Sequence, residues 1–303
     1  MSGWPELTME HDHETLALLH LVSQMLGKIR VAHAPWVNHG WHATLRPAAS
    51  GLAILSTAAS GGRSFTLALD LCRHGIALQV GDGATDLIPF AGKPVSQLHS
   101  ELIELLDRHR LPSSFNGKPN EIADAIAFAD DSEPRTYDPD SGRRLHQALE
   151  RIVPVFERFR AGFTGKASPV HFFWGSFDLA VTRFSGRPAP QHPGGIPGLP
   201  DRITREAYSQ EVSSAGFWAS GVTAAEPFFY SYAYPEPAGF REHELPAGRF
   251  ESEWQEFTLP YDEVRMASDP EAVLMLFLQS SYAAAAELAH WDRAALERDP
   301  VAP

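Results

Sequence analysis

The stretch Ser168–Gly186, SPVHFFWGSFDLAVTRFSG, carries a histidine and an aspartate among four phenylalanines and a tryptophan. Glycine and serine at its centre predict a two-residue β-turn between two apolar runs, in which Trp174 pairs with Phe177. Because side chains alternate along a strand, His171 and Asp178 then share one face as diagonal neighbours, roughly 7–8 Å apart. The stretch therefore predicts an antiparallel hairpin that carries a polar pair.

This polar pair has two interpretations. A carboxylate near an imidazole orients the ring and fixes its tautomer, which is a functional arrangement in many metal sites. Alternatively, His171 is a core histidine bonded to a carbonyl oxygen, and Asp178 pairs with Arg183 or Arg187. The hairpin alone does not decide between them.

Helices and strands alternate outward from this hairpin. Apolar residues at helical spacing, together with Asp-Pro and proline starts, predict four main helices: from Glu14 to about Val31, from Pro94 to about Arg108, from Asp138-Pro139 onward, and from Asp269-Pro270 onward. Short β-like runs broken by glycine pairs lie between the helices, beginning with WHATL at Trp41. The last helix is apolar all round, which predicts that it is buried.

The predicted fold class is α+β. Two helix–antiparallel meander–helix halves, residues 1–111 and 139–303, are joined by a connecting segment, 112–138, and form one integrated domain. The halves share an element order, which suggests an internal duplication. A barrel-like helix-grip cavity is the alternative. A Pro/Gly-rich loop, 185–202, is interpreted either as a lid or as a disordered excursion.

Composition excludes several partners. The formal net charge of −13 disfavours nucleic acid and anionic membranes, and no basic cluster offsets it. Cys72 is the one cysteine, so no internal disulfide forms, and no apolar run reaches about 18 residues. The N-terminal sequence lacks the features of a secretion signal, which favours a cytoplasmic protein. No phosphate-binding loop, dinucleotide fingerprint or nucleophile elbow occurs.

Histidine placement predicts a divalent transition-metal site. His39 and His42 flank Gly40, which permits the bend that brings them together. With His171, and with Glu211 as fourth ligand or general base, they form a set that suits zinc, iron, manganese or nickel. The competing interpretation places His42 on a solvated face, His39 in a loop and Glu211 on the solvated face of a helix.

Other polar and aromatic residues complete the candidate site. Tyr208 and Glu211 are predicted on one helix face, and Tyr208 joins Asp178 and Glu211 as a candidate catalytic residue. Candidate substrate contacts are His20 and Lys28 on the first helix, Arg183 on the hairpin, and Tyr230 and Tyr232 on the alternating strand FFYSYAY. Both the aromatic strand and the helix stripe also fit ordinary amphipathic elements.

Several of these stretches resemble a known family. SPVHFFWGSFDLAVTRFSGRPAP, EAYSQEVSSAGFW and YSYAYPEP, with WPEL, TLALLH, GKIR and NHGWHATL in the first half, resemble a bacterial family catalogued only as a domain of unknown function. The resemblance covers nearly the whole chain and implies one continuous unit. It supplies no activity. Gln210 stands where some relatives carry a histidine, which implies that position 210 is not an essential ligand.

The leading hypothesis is a metal-dependent enzyme, hydrolytic or oxygen-dependent, that acts on a small polar molecule bound between the halves. The alternative is a metal-free protein that binds a small ligand in an aromatic-walled pocket. A purely structural role for the histidines is the third possibility. The sequence leaves the substrate, the metal and the oligomeric state open.

Overall fold

The structure, a computed structural model, describes residues 3–196, 198–223 and 225–298. Its helices are α1 Met9–His33, α2 Val95–Arg108, α3 Pro139–Ala161, α4 Asp201–Ala207, α5 Tyr261–Met266, α6 Pro270–Leu288 and α7 Arg293–Leu296. Its strands are β1 Leu45–Ala48, β2 Gly51–Ile54, β3 Thr57–Ala58, β4 Ser64–Asp70, β5 Gly75–Val80, β6 Thr85–Pro89, β7 His171–Phe173, β8 Asp178–Pro188, β9 Gln210–Trp218, β10 Phe228–Tyr234, β11 Arg249–Glu251 and β12 Glu256–Pro260.

One antiparallel sheet runs through both halves of the chain. The strand order is β11-β12-β10-β9-β8-β7-β1-β2-β4-β5-β6, with β3 beside β4. Strands β1 and β7 join the two halves through the pair Leu45 and Phe172. The α+β class is therefore confirmed. Because β11 and β6 end this order as edge strands, the sheet is open rather than a closed barrel. The duplication stays a prediction.

The two faces of the C-terminal half-sheet differ in character. One face carries Leu179, Phe217 and Phe229, which are fully buried and pack toward the helices, as the contact of Phe229 with Phe156 of α3 shows. The opposite face, called here the polar face, carries Asp178, Ala180, Thr182, Ser214, Gly216, Tyr230 and Tyr232, which the strand registers place together. This face therefore carries small and polar side chains, together with two tyrosines, instead of a second row of apolar core residues.

The helix starts at Asp-Pro are confirmed, and several other boundaries differ. Asp138 caps α3 by accepting hydrogen bonds from the amides of Asp140 and Ser141, with Pro139 in the first turn. The first helix is longer than predicted at both ends, and WHATL contributes only its leucine to β1. The last long helix is not buried all round, because Leu276 is 46% exposed.

Helix α4 ends earlier than the sequence suggested. It stops at Ala207, and the chain enters β9 at Gln210, where pairing with β8 and β10 takes over the backbone hydrogen bonds. The predicted helix face shared by Tyr208 and Glu211 is therefore wrong. The connection predicted as the loop 185–202 is shorter than expected, because β8 extends to Pro188 and α4 begins at Asp201.

Candidate functional site

The hairpin that opens the C-terminal sheet has the predicted register with a different turn. His171 lies opposite Ala180 and Phe173 opposite Asp178, so the histidine and the aspartate are diagonal neighbours on the polar face. The turn spans 174–177, and Phe177 takes a left-handed conformation, φ 64°, while its amide donates to the Phe173 carbonyl. Trp174 therefore does not pair with Phe177. The longer turn preserves the register because it adds one residue to each side.

Trp174 instead leaves the hairpin and reaches α1. Its indole N–H donates to the Ala43 carbonyl at 2.6 Å. A Cβ added at Gly27 would lie 2.1 Å from the indole ring, so only glycine lets the helix approach this closely. The hairpin tip is thereby fixed against α1.

Asp178 is the centre of a hydrogen-bond network on the polar face. Its carboxylate accepts from the Tyr230 hydroxyl at 2.5 Å and from the Ser176 hydroxyl. The Tyr230 ring crosses strand β9 at Gly216, where an added Cβ would lie 2.2 Å from the ring. Burial raises the pKa of Asp178 to about 6, although both hydrogen bonds oppose the rise. The aspartate thus binds a tyrosine and a serine rather than orienting a histidine.

Two further carboxyl groups lie near Asp178. Burial, reinforced by repulsion from Asp178, raises the pKa of Glu121 to about 7 and that of Glu256 to about 8. Both side chains are only partly buried, whereas Asp178 is 5% exposed. The three carboxyl groups therefore extend from the solvent boundary into the interior.

Glu121 occupies a position that two glycines make available. Its backbone is left-handed, φ 56°, which is rare for a residue other than glycine and marks local strain. A Cβ added at Gly175 would lie 1.9 Å from its carboxylate oxygen, and one added at Gly198 would lie 2.5 Å from its backbone nitrogen. The connecting segment thus places a strained glutamate between the hairpin tip and the Pro/Gly-rich loop.

In the described part of the chain, no cationic side chain neutralises these carboxyl groups. Within residues 3–196, 198–223 and 225–298, no lysine, arginine or histidine nitrogen lies within 4.0 Å of a carboxylate oxygen of Asp178, Glu121 or Glu256 in an ion pair. Buried carboxylates are ordinarily paired or hydrogen-bonded because an isolated buried charge is costly. A positive charge placed among these three carboxyl groups would therefore be stabilised electrostatically.

Aromatic rings border the same cluster. Trp218 lies directly opposite Asp178 in the sheet and donates its indole N–H to the Ser176 carbonyl at 2.8 Å. Trp218, Phe228 and Trp254 form a triangle with ring centroids 5.1 to 5.6 Å apart, and Trp254 is 45% exposed. A group of π faces thus lies at the solvent boundary of the carboxyl cluster.

The aromatic strand β10 continues this wall. Phe228, Tyr230, Tyr232 and Tyr234 alternate onto the polar face, as predicted. The hydroxyls of Tyr208 and Tyr232 lie 2.8 Å apart, and His192 of the Pro/Gly-rich loop stacks on Tyr208 at 4.9 Å. Burial raises the pKa of both tyrosines above the usual value. Tyr208, Tyr230 and Tyr232 are therefore brought together, although Tyr208 reaches the site from the end of α4.

The polar stripe of α1 is buried beneath the loops rather than solvated. His20 donates through Nε2 to the Gly175 carbonyl at 2.9 Å, and burial lowers its pKa to about 4. Gln24 and Lys28 both bind Asn120 of the connecting segment, whose amide nitrogen donates to the Gly198 carbonyl at 2.6 Å. Asn120 thus links α1, the connecting segment and the Pro/Gly-rich loop.

Lys28 is unusual among the buried residues of this stripe. Its ammonium donates to the Asn120 side-chain oxygen and lies 5.4 Å from the centroid of Trp174. Burial lowers the pKa of Lys28 to about 8.

The four predicted metal ligands occupy separate environments. His39 Nδ1 donates to the carbonyls of Glu206 and Ala207, whereas His42 Nδ1 accepts from the Val37 amide at 3.2 Å. Glu211 accepts two hydrogen bonds from Arg187, at 2.6 and 2.9 Å. These polar atoms are already engaged within the chain.

His171 differs from the other three because neither of its ring nitrogens has a partner in the described part of the chain. It is fully buried, its ring packs on Phe173 at 4.6 Å and on Trp41 at 6.5 Å, and burial lowers its pKa to about 3. Among residues 3–196, 198–223 and 225–298, no group of three or more His, Cys, Asp and Glu side chains is arranged to hold a metal ion. The metal site stays a prediction.

Arg183 lies on the helix-covered face. It is 1% exposed, donates to the Phe159 carbonyl, and its guanidinium lies 3.5 Å from the Phe159 ring centroid and 4.3 Å from that of Tyr282. Its place in the sheet register puts it opposite Ser213, away from Asp178. The structure therefore separates Arg183 from the other candidate substrate contacts.

Sequence reasoning missed three members of the cluster. Ser176 was interpreted only as a turn residue, and Glu121 and Glu256 lie 57 and 78 residues from Asp178 along the chain. The one available signal was that Glu256 lies near the start of WQEFTL, a stretch with the pattern of a strand. Nothing in the connecting segment marked Glu121, because its position depends on glycines in two other loops.

The chain belongs to a family described as a family of unknown function (DUF5996), whose model matches residues 4–298. The expected resemblance is therefore confirmed over nearly the whole chain. No curated protein and no solved structure gives a match. No helix among the described residues has the length and apolar character needed to cross a membrane.

Proposed function

We propose that this member of the family of unknown function binds a small organic cation, of the alkylammonium class, on the polar face of its C-terminal half-sheet. The ligand's positive charge would lie between Asp178, Glu121 and Glu256, under the connecting segment and the Pro/Gly-rich loop. Trp218, Phe228 and Trp254 would contact its alkyl groups.

One observation carries this proposal. Among the described residues, three carboxyl groups share one partly buried region with no cationic side chain in an ion pair with them. Burial, reinforced by repulsion from Asp178, raises the pKa of Glu121 and of Glu256. A bound cation supplies the missing charge and favours the ionised forms of all three groups. A neutral or anionic ligand would leave the repulsion unrelieved.

The neighbouring rings fit the same ligand class. The faces of tryptophan, tyrosine and phenylalanine attract cations, and this attraction strengthens when water is removed. The Trp218, Phe228 and Trp254 triangle lies beside Asp178, so an alkylammonium group contacts π faces and carboxylates together.

The site also supports proton transfer. The pKa values of Asp178, Glu121 and Glu256, about 6, 7 and 8, lie near neutrality, where a carboxyl group serves as acid or base. Asp178 and Tyr230 share a 2.5 Å hydrogen bond. An enzymatic role on the bound amine would therefore use this pair.

The test is calorimetric titration of the purified protein with 1,4-diaminobutane and trimethylamine, beside the isosteric neutral 1,4-butanediol and anionic glutarate. Only the two amines are expected to bind. Binding should tighten as the pH rises from 6 to 8, because the carboxyl groups release protons to accept the cation. The measured heat should then depend on the ionisation enthalpy of the buffer.

Matched variants locate the binding. Asp178→Asn and Glu256→Gln should each weaken amine binding by about tenfold or more, which corresponds to about 1.4 kcal/mol. Glu253→Gln changes an exposed glutamate in the preceding turn and should leave binding unchanged. Equal binding of 1,4-butanediol and 1,4-diaminobutane, or an unchanged affinity in Asp178→Asn, would exclude this function.

The metal-dependent enzyme is tested separately by elemental analysis of untagged protein purified without chelator, beside His171→Ala. Near-stoichiometric metal that is lost in the variant would support it. A protein that holds no divalent metal, even after reconstitution, would rule it out.

A further inference from the structure

An open cavity lies at the end of the C-terminal half-sheet where β9 begins and β10 ends, and its volume is about 190 Å³. Ala233, Pro235 and Pro237 line it from β10 and the segment after that strand, and Ala289 and Trp291 line it from the turn after α6. Apart from the tryptophan, these side chains are small and apolar. The space suits a molecule with one six-membered ring, since an apolar protein cavity of about 150 Å³ binds benzene.

The cavity is separate from the carboxyl cluster. Glu211, at the start of β9, also lines it, whereas Trp218, which pairs with Asp178, lies seven residues further along that strand. Seven residues of a strand correspond to a rise of about 23 Å. Ala233 alternates with the tyrosines of β10, so it faces the helices rather than the polar face.

Trp291 carries a hydrogen-bond donor that the chain leaves unused. The residue is 7% exposed, its ring packs on Tyr282 with centroids 6.0 Å apart, and its indole N–H has no partner in the described part of the chain. A buried tryptophan ordinarily pairs this N–H, because an unpaired buried donor costs free energy. An oxygen atom of a ligand in the cavity would supply the missing acceptor.

Glu211 carries an acceptor beside the same cavity. Its Oε2 accepts from Arg187 at 2.6 and 2.9 Å, whereas its Oε1 accepts no hydrogen bond from the described residues. Arg187 also donates to the Ala289 carbonyl at 2.6 Å, which holds the ion pair at the edge of the cavity. The two charges compensate each other. A charged ligand would therefore leave water without an opposite charge to pair with, which disfavours it.

We propose that this cavity binds phenols, which are neutral molecules with a flat ring and a hydroxyl group. A hydroxyl accepts one hydrogen bond and donates another, so it serves the Trp291 N–H and the Glu211 Oε1 together. The ring would lie among Ala233, Ala289 and the two prolines, where its apolar surface is removed from water. Phenol binding here does not depend on amine binding at the carboxyl cluster.

The first experiment follows the indole N–H signals of the seven tryptophans by NMR while ¹⁵N-labelled wild-type protein is titrated with phenol. The Trp291→Phe variant identifies the Trp291 signal by its absence. This signal should move downfield and saturate, because a new hydrogen bond deshields the proton. Toluene, with a methyl group in place of the hydroxyl, and benzoate, an anion, are the matched probes. A Trp291 signal that ignores phenol, or that responds equally to toluene or benzoate, would overturn the proposal.

The second experiment measures affinity by calorimetry. Phenol should bind at least about tenfold more tightly than toluene, which is the gain expected from added hydrogen bonds to buried groups. Trp291→Phe keeps an aromatic ring, removes the donor and should abolish most of this preference. A preference that is unchanged in this variant would contradict phenol binding at Trp291.

A third comparison tests the cavity itself. Ala289→Leu fills the space and should lower the affinity for phenol at least about tenfold. Ala283→Leu, at a partly buried position of α6 outside the cavity lining, should leave the affinity unchanged. Circular dichroism establishes that both variants fold, and if Ala289→Leu does not, the Trp291→Phe comparison decides. Undiminished phenol binding in folded Ala289→Leu would place the ligand elsewhere and overturn the proposal.

Discussion

Among single residues, Asp178 has the largest effect on the hydrogen bonding and charge of the polar face. Its carboxylate is held by Tyr230 and Ser176 in a region from which water is nearly excluded. Tyr230 reaches it only because Gly216 has no side chain. A glycine on β9, a tyrosine on β10 and an aspartate on β8 therefore form one unit.

The raised pKa of Asp178 makes the stability of the protein depend on pH. The folded group has a pKa of about 6 against an ordinary value of 3.8, so its contribution to the free energy of unfolding is complete below 3.8 and is lost as the pH rises through 6. Asp178→Asn cannot titrate. Relative to wild type, its stability should rise by about 1–3 kcal/mol between pH 4 and pH 7.

Urea unfolding of both proteins at several pH values measures this difference. The wild-type curve itself combines opposing effects, because His20 and His171 have lowered pKa values and reduce stability as the pH falls below 6.5. The comparison of variant with wild type cancels them. Glu253→Gln is the control, and a pH-independent difference for Asp178→Asn would show that Asp178 titrates normally.

The start of α3 illustrates how a short sequence signal fixes an element. Asp138 accepts from two backbone amides and from the Ser141 hydroxyl, and Pro139 supplies the preset backbone angle of the first turn. The apolar stripe of the helix then packs toward α6 and α1. One capped end therefore positions a helix that contacts α1, α6 and strand β8.

Asp138→Ala should lower the free energy of unfolding by about 1–2 kcal/mol, because two first-turn amides lose their acceptor. Chemical denaturation monitored by circular dichroism measures the change. Asp140→Ala removes an exposed carboxylate of the same turn that forms a surface ion pair with Arg143, and it should cost less than about 0.5 kcal/mol. Equal losses in the two variants would mean that the cap contributes nothing.

The two halves of the molecule share one sheet and one helical layer. Leu45 of β1 and Phe172 of β7 are both fully buried where the half-sheets meet, and α1 contacts α3 as well as β2, β3 and β4. Contacts of this kind couple the halves, so we expect them to unfold together.

Pulsed hydrogen exchange across a urea series tests this coupling. Peptides from β4–β5 and from β8–β9 should lose protection at the same urea concentration. Leu45→Ala should shift both by an equivalent of about 2–5 kcal/mol, whereas Leu276→Ala, at a partly exposed site, should shift them little. Loss of protection in one half while the other stays protected would show two independent units.

The sequence by itself determined most local features of this protein. The sequence of residues 168–186 predicts the register of the β7–β8 hairpin. The alternation in FFYSYAY predicts the aromatic face of strand β10, and Asp138-Pro139 predicts the start of α3. These succeed because alternation, helical periodicity and capping depend on neighbours a few residues away. The α+β class followed from their order.

Only the tertiary structure decided which side chains meet. Tyr230, Glu121 and Glu256 reach Asp178 through strand order and through two glycine-lined loops, and Lys166 reaches His39 across 127 residues. Arg183 and Asp178 lie on the same strand, yet the sheet separates them onto opposite faces. Contacts between distant segments depend on the packing of the whole chain, which no local pattern encodes. The α+β class could therefore be predicted from the sequence, whereas the contacts within the site depend on the tertiary structure.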